Sequence, residues 1–294
     1  MFDYEKKFVK LQNGERIAYI EKGVGPVLLL IHGNMASSVH MVELANKLKD
    51  NYRVITPDLR SFGDSSFVND FTTLKELAFD LTLFLNELNI DSAYVAGWST
   101  GFGVAMELAI LNPKLVKGLL SLEGMSLKGY YSLKANKAGE VLSYRIYESY
   151  HQMKADRELN FISDALKSQD YNLIKSVWEN TLLINRKVSE DILDLFVKET
   201  LKQRSQENIN WCWVNFNVSD EANLYSKGSS EYKSIKCPIH LTLGLKDSVV
   251  TKPMIMENVK AFKHAILHTF PNAGHCVHID ELDLVVNIIK ENFI

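Results

Sequence analysis

The sequence predicts an α/β fold: a mostly parallel central sheet flanked by helices and interrupted by a helical insertion. Three observations carry that expectation. Short runs of Val, Ile and Leu alternate with longer helix-period segments as far as Gly124. From about Ser126 to Lys236 the rhythm changes to a helix-like, aromatic-rich stretch that holds Trp178, Trp211 and Trp213. The strand-helix beat then returns and continues to the end of the chain.

Val27 to Ile31 ends at His32-Gly33, Val54-Ile55 ends at Thr56-Pro57-Asp58, and Ala93 to Ala96 ends at Gly97; Leu119 to Leu122 follows. Apolar runs of this length suit strands buried on both faces, as parallel strands are. Between them Leu74, Leu77, Ala78, Leu81, Leu85 and Leu88 recur at three- and four-residue steps, behind a Thr73/Glu76 capping box. Val104, Ala105, Leu108 and Leu111 repeat that period until Asn112-Pro113 stops it. After the insertion, a strand at Ile239 to Leu243, a helix near Lys252 to Phe262, a strand at Ala265 to Phe270 and a last helix at Leu282 to Asn292 are expected. Alternation of this kind implies parallel strands joined by crossovers. The chain thus divides into a core of residues 1–125 and 237–294 and a helical cap of residues 126–236, a size ordinary for a domain.

Composition bounds the function. The chain has 294 residues, 46% hydrophobic and 23% charged, which is the globular range. A net charge of -3 is too near neutral to suggest nucleic acid or an anionic membrane as partner. Cys212, Cys237 and Cys276 form no CxxC pair, which argues against a disulfide framework and fits a reducing compartment. The N-terminal segment lacks an apolar signal-peptide core, and the longest apolar run is strand-length, so a cytoplasmic protein with no membrane span is expected. No HExxH, paired CxxC or GxxxxGK[ST] is present, so neither metal nor cofactor is expected. Oligomeric state stays open between monomer and homodimer.

Gly97-Trp98-Ser99-Thr100-Gly101 matches G-x-S-x-G between a strand and a helix. A tight turn there crowds the positions two residues either side of the serine, so both must be very small. Ser99 is then thrust above the sheet edge, and the first amides of the helix point at whatever binds there.

On these residues the chain resembles the alpha/beta-hydrolase superfamily, over nearly its whole length and most weakly across the insertion. His32-Gly33-Asn34-Met35 is similar to the family's oxyanion loop, and the resemblance implies that the backbone amides of Asn34 and Thr100 bind an oxyanion. Asp58-Leu59-Arg60-Ser61-Phe62-Gly63-Asp64-Ser65 resembles the family's D-x-R-G-x-G-x-S loop, with Ser61 in place of the first glycine. His275, in Asn272-Ala273-Gly274-His275, stands where the family carries its catalytic histidine, and His32 is expected to support the oxyanion loop. The other histidines, His278 included, are expected to be surface or structural.

A serine hydroxyl needs a base to take its proton, and an acid to orient that base. Asp247 follows the strand at Ile239 to Leu243 in the family's G-x-x-D turn and is the leading acid; Glu123, which closes the strand at Leu119 to Leu122, is its rival. Glu123 could equally line the substrate cavity or bond a loop. The order Ser99, Asp247, His275 is the superfamily's order.

The resemblance implies acyl transfer to water, from a small-molecule carboxylic ester or lactone of small to medium apolar character. Carbon-carbon hydrolysis of a vinylogous diketone uses the same groups, and a hydrolase-fold ligand receptor or a partner-binding protein on an inactive hydrolase fold are the readings from other classes. The cap is expected to act as a lid. Trp98, Glu123, Trp178 and Trp211 are candidate substrate contacts, with Tyr130, Tyr131, Tyr144, Tyr147, Trp213 and Phe216 as further candidates for an apolar acyl pocket.

Overall fold

The computed structural model describes residues 3–131, 133–135 and 141–293. Its main sheet is built from β1 (Lys6–Lys10), β2 (Arg16–Lys22), β3 (Val27–Ile31), β4 (Arg53–Pro57), β5 (Ala93–Trp98), β6 (Val116–Leu122), β9 (Ile239–Gly244) and β10 (Ile266–Phe270). The strand order is β1-β2-β4-β3-β5-β6-β9-β10. Every neighbouring pair from β4 to β10 is parallel, while β1 and β2 are antiparallel additions at one edge. All the parallel strands therefore end on one side, and the loops that leave those ends can meet.

Alternate residues of the central strands feed two separate hydrophobic layers. Leu29, Ile31, Val95 and Leu119 pack on the face covered by α2 (Leu74–Glu87) and α3 (Thr100–Leu111). Leu28, Leu30, Ala96 and Leu120 pack on the face covered by α1 (Val42–Leu48) and α11 (Leu282–Asn292), with α10 (Val277–Asp280) beside it. That is why the strand sequences read as unbroken apolar runs. Helix α2 starts as its sequence promised: Thr73 Oγ1 accepts the Glu76 amide at 3.3 Å, and Glu76 Oε2 accepts the Thr73 amide at 3.0 Å. Its Leu77, Leu81 and Phe84 have no exposed surface, and each such side chain contributes about 1.5–3 kcal/mol by leaving water.

Between β6 and β9 the chain forms α4 (Tyr150–Ala155), α5 (Phe161–Ser168), α6 (Tyr171–Val177), a π-helical turn (Trp178–Leu182), α7 (Glu190–Thr200) and α8 (Gln206–Asn215). It also contains an antiparallel pair, β7 (Leu133–Ala135) with β8 (Val141–Tyr144), where only helix was expected. The ends of this segment do not separate cleanly from the core. Leu127, Phe216, Val218 and Ile235 all sit in the α2/α3 layer, and Trp178, Phe196 and Ile174 sit in the opposite one. Helix α9 (Lys252–Ala261) completes the chain's set between β9 and β10. Among the described residues no helix is long and apolar enough to cross a membrane.

At the β5–α3 junction backbone meets backbone at both glycines. A Cβ on Gly97 would lie 2.5 Å from the Gly101 carbonyl, and one on Gly101 would lie 2.4 Å from the Ile31 carbonyl oxygen. Both obstacles are backbone, so neither can yield by a rotamer change. Gly101→Ala is expected to destabilise the protein by about 1–3 kcal/mol or more, as overpacking does. A urea-denaturation midpoint unchanged from wild type would refute this account of the junction.

Candidate active site

Four loops and one direct strand-to-helix turn leave the carboxyl ends of the parallel strands on one side of the sheet, where open α/β sheets place their sites. The loop after β3 carries Asn34, the turn from β5 into α3 carries Ser99, and the loop after β6 carries Glu123. Asp247 follows β9 and His275 follows β10. Ser99 has φ 54° and ψ -120°, a left-handed backbone at the point where strand turns into helix. Such a conformation costs on the order of 1–3 kcal/mol for a non-glycine residue and persists only where the surroundings impose it. Gly33 closes over it: a Cβ there would stand 3.0 Å from the Ser99 Cβ.

His275 Nδ1 lies 2.8 Å from Asp247 Oδ2, with both side chains almost fully buried. Asp247 Oδ1 accepts the amides of Val249 at 2.7 Å and Val250 at 3.1 Å, so its carboxylate is fixed from the opposite side. The His275 loop is pinned as well. Trp98 Nε1 donates to the His275 carbonyl at 2.8 Å, and Asp280 Oδ2 accepts the Gly274 amide at 2.8 Å. An imidazole that donates from Nδ1 to a carboxylate presents Nε2 as an acceptor. Ser99 and His275 open onto the same cavity of about 410 Å³.

Asn34 lines that cavity, and its side chain is held by the segment between β6 and β9. Asn34 Nδ2 donates to Gln206 Oε1 at 3.0 Å, and Gln203 Nε2 donates to Asn34 Oδ1 at 2.8 Å. Gln203 Oε1 also accepts the amide of Met35, whose φ is 59°. The chain of amides continues from Gln206 Nε2 to Asn210 Oδ1 at 2.8 Å and from Asn210 Nδ2 to Asn160 Oδ1 at 3.0 Å. Thr100 is the first residue of α3, so its backbone amide has no intrahelical acceptor. Its hydroxyl accepts Trp213 Nε1 at 2.8 Å. His32 sits beneath this loop: its Nδ1 is 2.7 Å from the Gly33 carbonyl, and its Nε2 accepts the Leu59 amide at 3.0 Å. Ser61, where the family pattern has glycine, takes φ 74° and bonds Ser205 of the inserted segment.

The four proposed substrate contacts sit elsewhere than the cavity wall. Trp98 is packed into the core and anchors the His275 loop, as its indole bond shows. Trp178 is wholly buried between His40 and Phe196 and donates to Thr200 Oγ1 at 2.9 Å. Trp211 packs with Tyr150, Tyr225 and Met153 on the far side of α8. Glu123 has no exposed surface and lies behind Asp247. Of the further aromatics, Tyr130, Tyr131 and Trp213 do line the cavity. Tyr147 bonds Asp156, and Phe216 belongs to the core. The Tyr144 side chain lies outside the described residues.

The cavity wall also includes Ile162, Val177, Leu182, Gln206 and Asn210, which the sequence reading passed over. A signal for the last two existed. Gln206, Asn210 and Trp213 stand at i, i+4 and i+7 on α8, the spacing of one helical face. None of the described lining residues is Lys, Arg, Asp or Glu. A separate surface groove of about 460 Å³ beside Arg60 and Lys75 holds none of these groups. Its cations are already engaged, Arg60 by Asp80 at 2.6 Å and Lys75 by Glu231 at 3.0 Å. Among the described residues no group of three or more His, Cys, Asp or Glu is placed to hold a metal ion.

A half-buried serine elbow and a carboxylate-oriented imidazole at the strand ends define a hydrolase-type α/β protein. The chain belongs to the alpha/beta hydrolase fold family, whose model matches residues 26–282. It is similar to a cis-3-alkyl-4-alkyloxetan-2-one decarboxylase from Shewanella oneidensis, at 26% identity over 99% of this chain and 88% of that protein. In structure it resembles an esterase from Exiguobacterium antarcticum, with TM-score 0.74, 17% identity and 98% of each chain covered. It also resembles a meta-cleavage product hydrolase from Pseudomonas fluorescens IP01, with TM-score 0.69 and 19% identity over 98% of this chain and 97% of that one.

His278 packs against Trp98 with centroids 4.8 Å apart, and neither of its ring nitrogens has a hydrogen-bond partner. Burial, reinforced by His275, pushes its imidazole down from the usual 6.5 to about 3. The unfolded chain therefore binds a proton there that the folded chain refuses between those values, and stability falls as pH falls through that window. His278→Leu is expected to flatten the acid side of the stability-pH curve between about 6.5 and 3, measured by urea unfolding at stepped pH. An acid limb as steep as wild type would contradict it.

Proposed function

We propose that this protein is a serine hydrolase that cleaves a neutral carboxylic ester or lactone of small to medium apolar character through an acyl-enzyme. The observation that carries the reading is the Ser99 elbow sharing a cavity with an imidazole that Asp247 orients. Ser99 attacks the carbonyl carbon while His275 Nε2 takes the hydroxyl proton, and the amides of Asn34 and Thr100 stabilise the oxyanion. His275 then protonates the leaving alkoxide. A water deprotonated by His275 attacks the acyl-enzyme, and the carbonyl carbon leaves Ser99 as the free acid. A lactone follows the same steps with its alcohol still attached, giving a hydroxy acid.

The wall chemistry supports the substrate class. Leu182, Ile162 and Val177 favour an apolar chain, Gln206 and Asn210 supply one polar side, and none of the described lining residues carries a fixed charge to bind an ionic group. The name of the Shewanella relative denotes a strained four-membered lactone with alkyl arms, which fits the lactone half of this reading. The substrate is a small molecule, and the site calls for no cofactor.

Purified protein is expected to turn over p-nitrophenyl acetate and short lactones and to form a covalent fluorophosphonate adduct at Ser99. Ser99→Ala should abolish both. Asp247→Asn should lower kcat by about 10⁴-fold, the loss seen when the orienting acid is neutralised. Turnover or labelling that survives Ser99→Ala would sink the reading. Tight ligand binding without turnover would place the protein among receptors, and cleavage confined to vinylogous diketones would make it a carbon-carbon hydrolase.

A further inference from the structure

Glu123 lies just beyond β6, with no exposed surface and a left-handed backbone at φ 46°. Its Oε1 accepts Thr242 Oγ1 at 2.8 Å and the Gly244 amide at 2.9 Å, and its own amide donates to Thr242 Oγ1 at 2.9 Å. These bonds fix the plane of the carboxyl group. The other oxygen, Oε2, is buried and has no donor facing it.

The carboxyl lies beside the Asp247 turn: Glu123 Oε1 accepts the Gly244 amide at 2.9 Å, the Asp247 amide donates to the Gly244 carbonyl at 3.1 Å, and the Asp247 charge acts on Glu123. Two carboxylates side by side inside a protein do not both stay ionised, and one of them keeps a proton. Asp247 already accepts two amides, and its other oxygen faces the His275 Nδ1 at 2.8 Å, so its acceptor positions are taken by donors. Glu123 has fewer donors and a bare oxygen that becomes a donor once protonated. A single proton on Oε2 therefore satisfies the orphaned atom and removes the repulsion together.

We propose that Glu123 is a positioning residue that stays protonated and donates a hydrogen bond from Oε2 to the Asp247 carboxylate, holding it against His275. The groups facing it from other elements are Thr242 on β9, Asp247 on the following loop and, through Asp247, His275 on the loop after β10. Tyr130 also feels the Asp247 charge and is neutral. Burial, with Asp247 acting in the same direction, pushes Glu123 up to about 8. Above that value a second negative charge stands beside Asp247 and the clamp is lost. The catalytic consequence rests on the serine-hydrolase reading; the location of the proton does not.

Infrared difference spectroscopy at pH 7 locates the proton without reference to activity. The carbonyl stretch of a protonated carboxylic acid should be present in wild type and absent from Glu123→Gln. In Asp247→Asn the band should titrate away at a lower pH than in wild type, because the neighbouring charge is gone while the burial of Glu123 remains. That second variant decides the matter should the first fail to fold. A band that survives in Glu123→Gln, or whose titration is unmoved in Asp247→Asn, belongs to another buried acid, such as Glu107, and overturns the proposal.

Ester turnover supplies the functional arm. Wild-type kcat should fall as pH rises through about 8. Glu123→Gln, whose amide donates permanently, should stay within a few-fold of wild type at pH 7 and lose that alkaline limb. Glu123→Ala should lower kcat about tenfold to a hundredfold with little change in KM, the worth of a hydrogen bond to a charged group. A Gln variant as impaired as the Ala variant, or one that keeps the alkaline limb, would overturn the assignment. So would an Asp247→Asn enzyme of full activity, because Glu123 would then itself be the acid on His275. Absence of turnover in wild type, with the infrared band behaving as stated, would remove the serine-hydrolase reading and leave the proton where it is placed here.

Discussion

Everything at this site depends on one unfavourable backbone conformation. Ser99 sits at φ 54° and ψ -120° because β5 must become α3 without an intervening loop. Gly97 and Gly101 let the two elements approach until backbone meets backbone, leaving no room for a Cβ on either. The strain is imposed by the sheet on one side and α3 on the other, both buried in apolar layers that are large compared with a cost of about 1–3 kcal/mol. The turn lifts the serine side chain clear of the sheet and leaves the first α3 amide without a helical partner. Both consequences come from a single geometric necessity.

The second constraint comes from outside the sheet. The loop that carries Asn34 includes Met35 in a left-handed conformation, and Gln203 and Thr200 bind that residue's amide and carbonyl at 3.0 and 2.5 Å. Lys6 Nζ ties β1 to Asp58 at 2.9 Å and to Glu199 on α7 at 2.9 Å. A buried ion of one sign without its partners is strongly destabilising, so such a cluster locks relative positions more than it adds stability. The segment between β6 and β9 is therefore part of the scaffold that fixes the loop carrying Asn34, in addition to walling the cavity. Movement of α7 or α8 would be felt at Asn34 directly.

These two constraints explain what was legible in the sequence. The parallel strands, α2, α3 and the three candidate residues on different loops were readable because local rules set them: apolar runs, a capping box, glycines flanking a serine. The antiparallel edge was not read, although Asn13-Gly14 between β1 and β2 is a hairpin signal and Gly14 takes φ 91°. Strand β1 is mixed and largely exposed, so its pattern is weak. Trp98, Trp178 and Trp211 misled for a different reason. A large aromatic is equally suited to a core and to a pocket wall, and which it joins depends on long-range packing that no local pattern records. The cavity's polar side escaped notice because Gln and Asn carry no distinctive period; their meaning came only from sharing a helix face with Trp213.

The histidines near the site show how one imidazole is singled out among several. His32 accepts the Leu59 amide at Nε2, and His40 accepts the Ser37 amide at Nδ1, bonds that a doubly protonated ring cannot make. Burial lowers both, and drives His278 lower than its ordinary range as well. Among the described residues His275 is the one histidine paired with a carboxylate. The other three rings are thus kept neutral by burial without a carboxylate bonded to them, while His275 is buried against one. Apolar surroundings strengthen the hydrogen bond between Asp247 and His275, as a low local dielectric does for any polar contact inside a protein. The difference among the four rings therefore follows from packing and not from residue type.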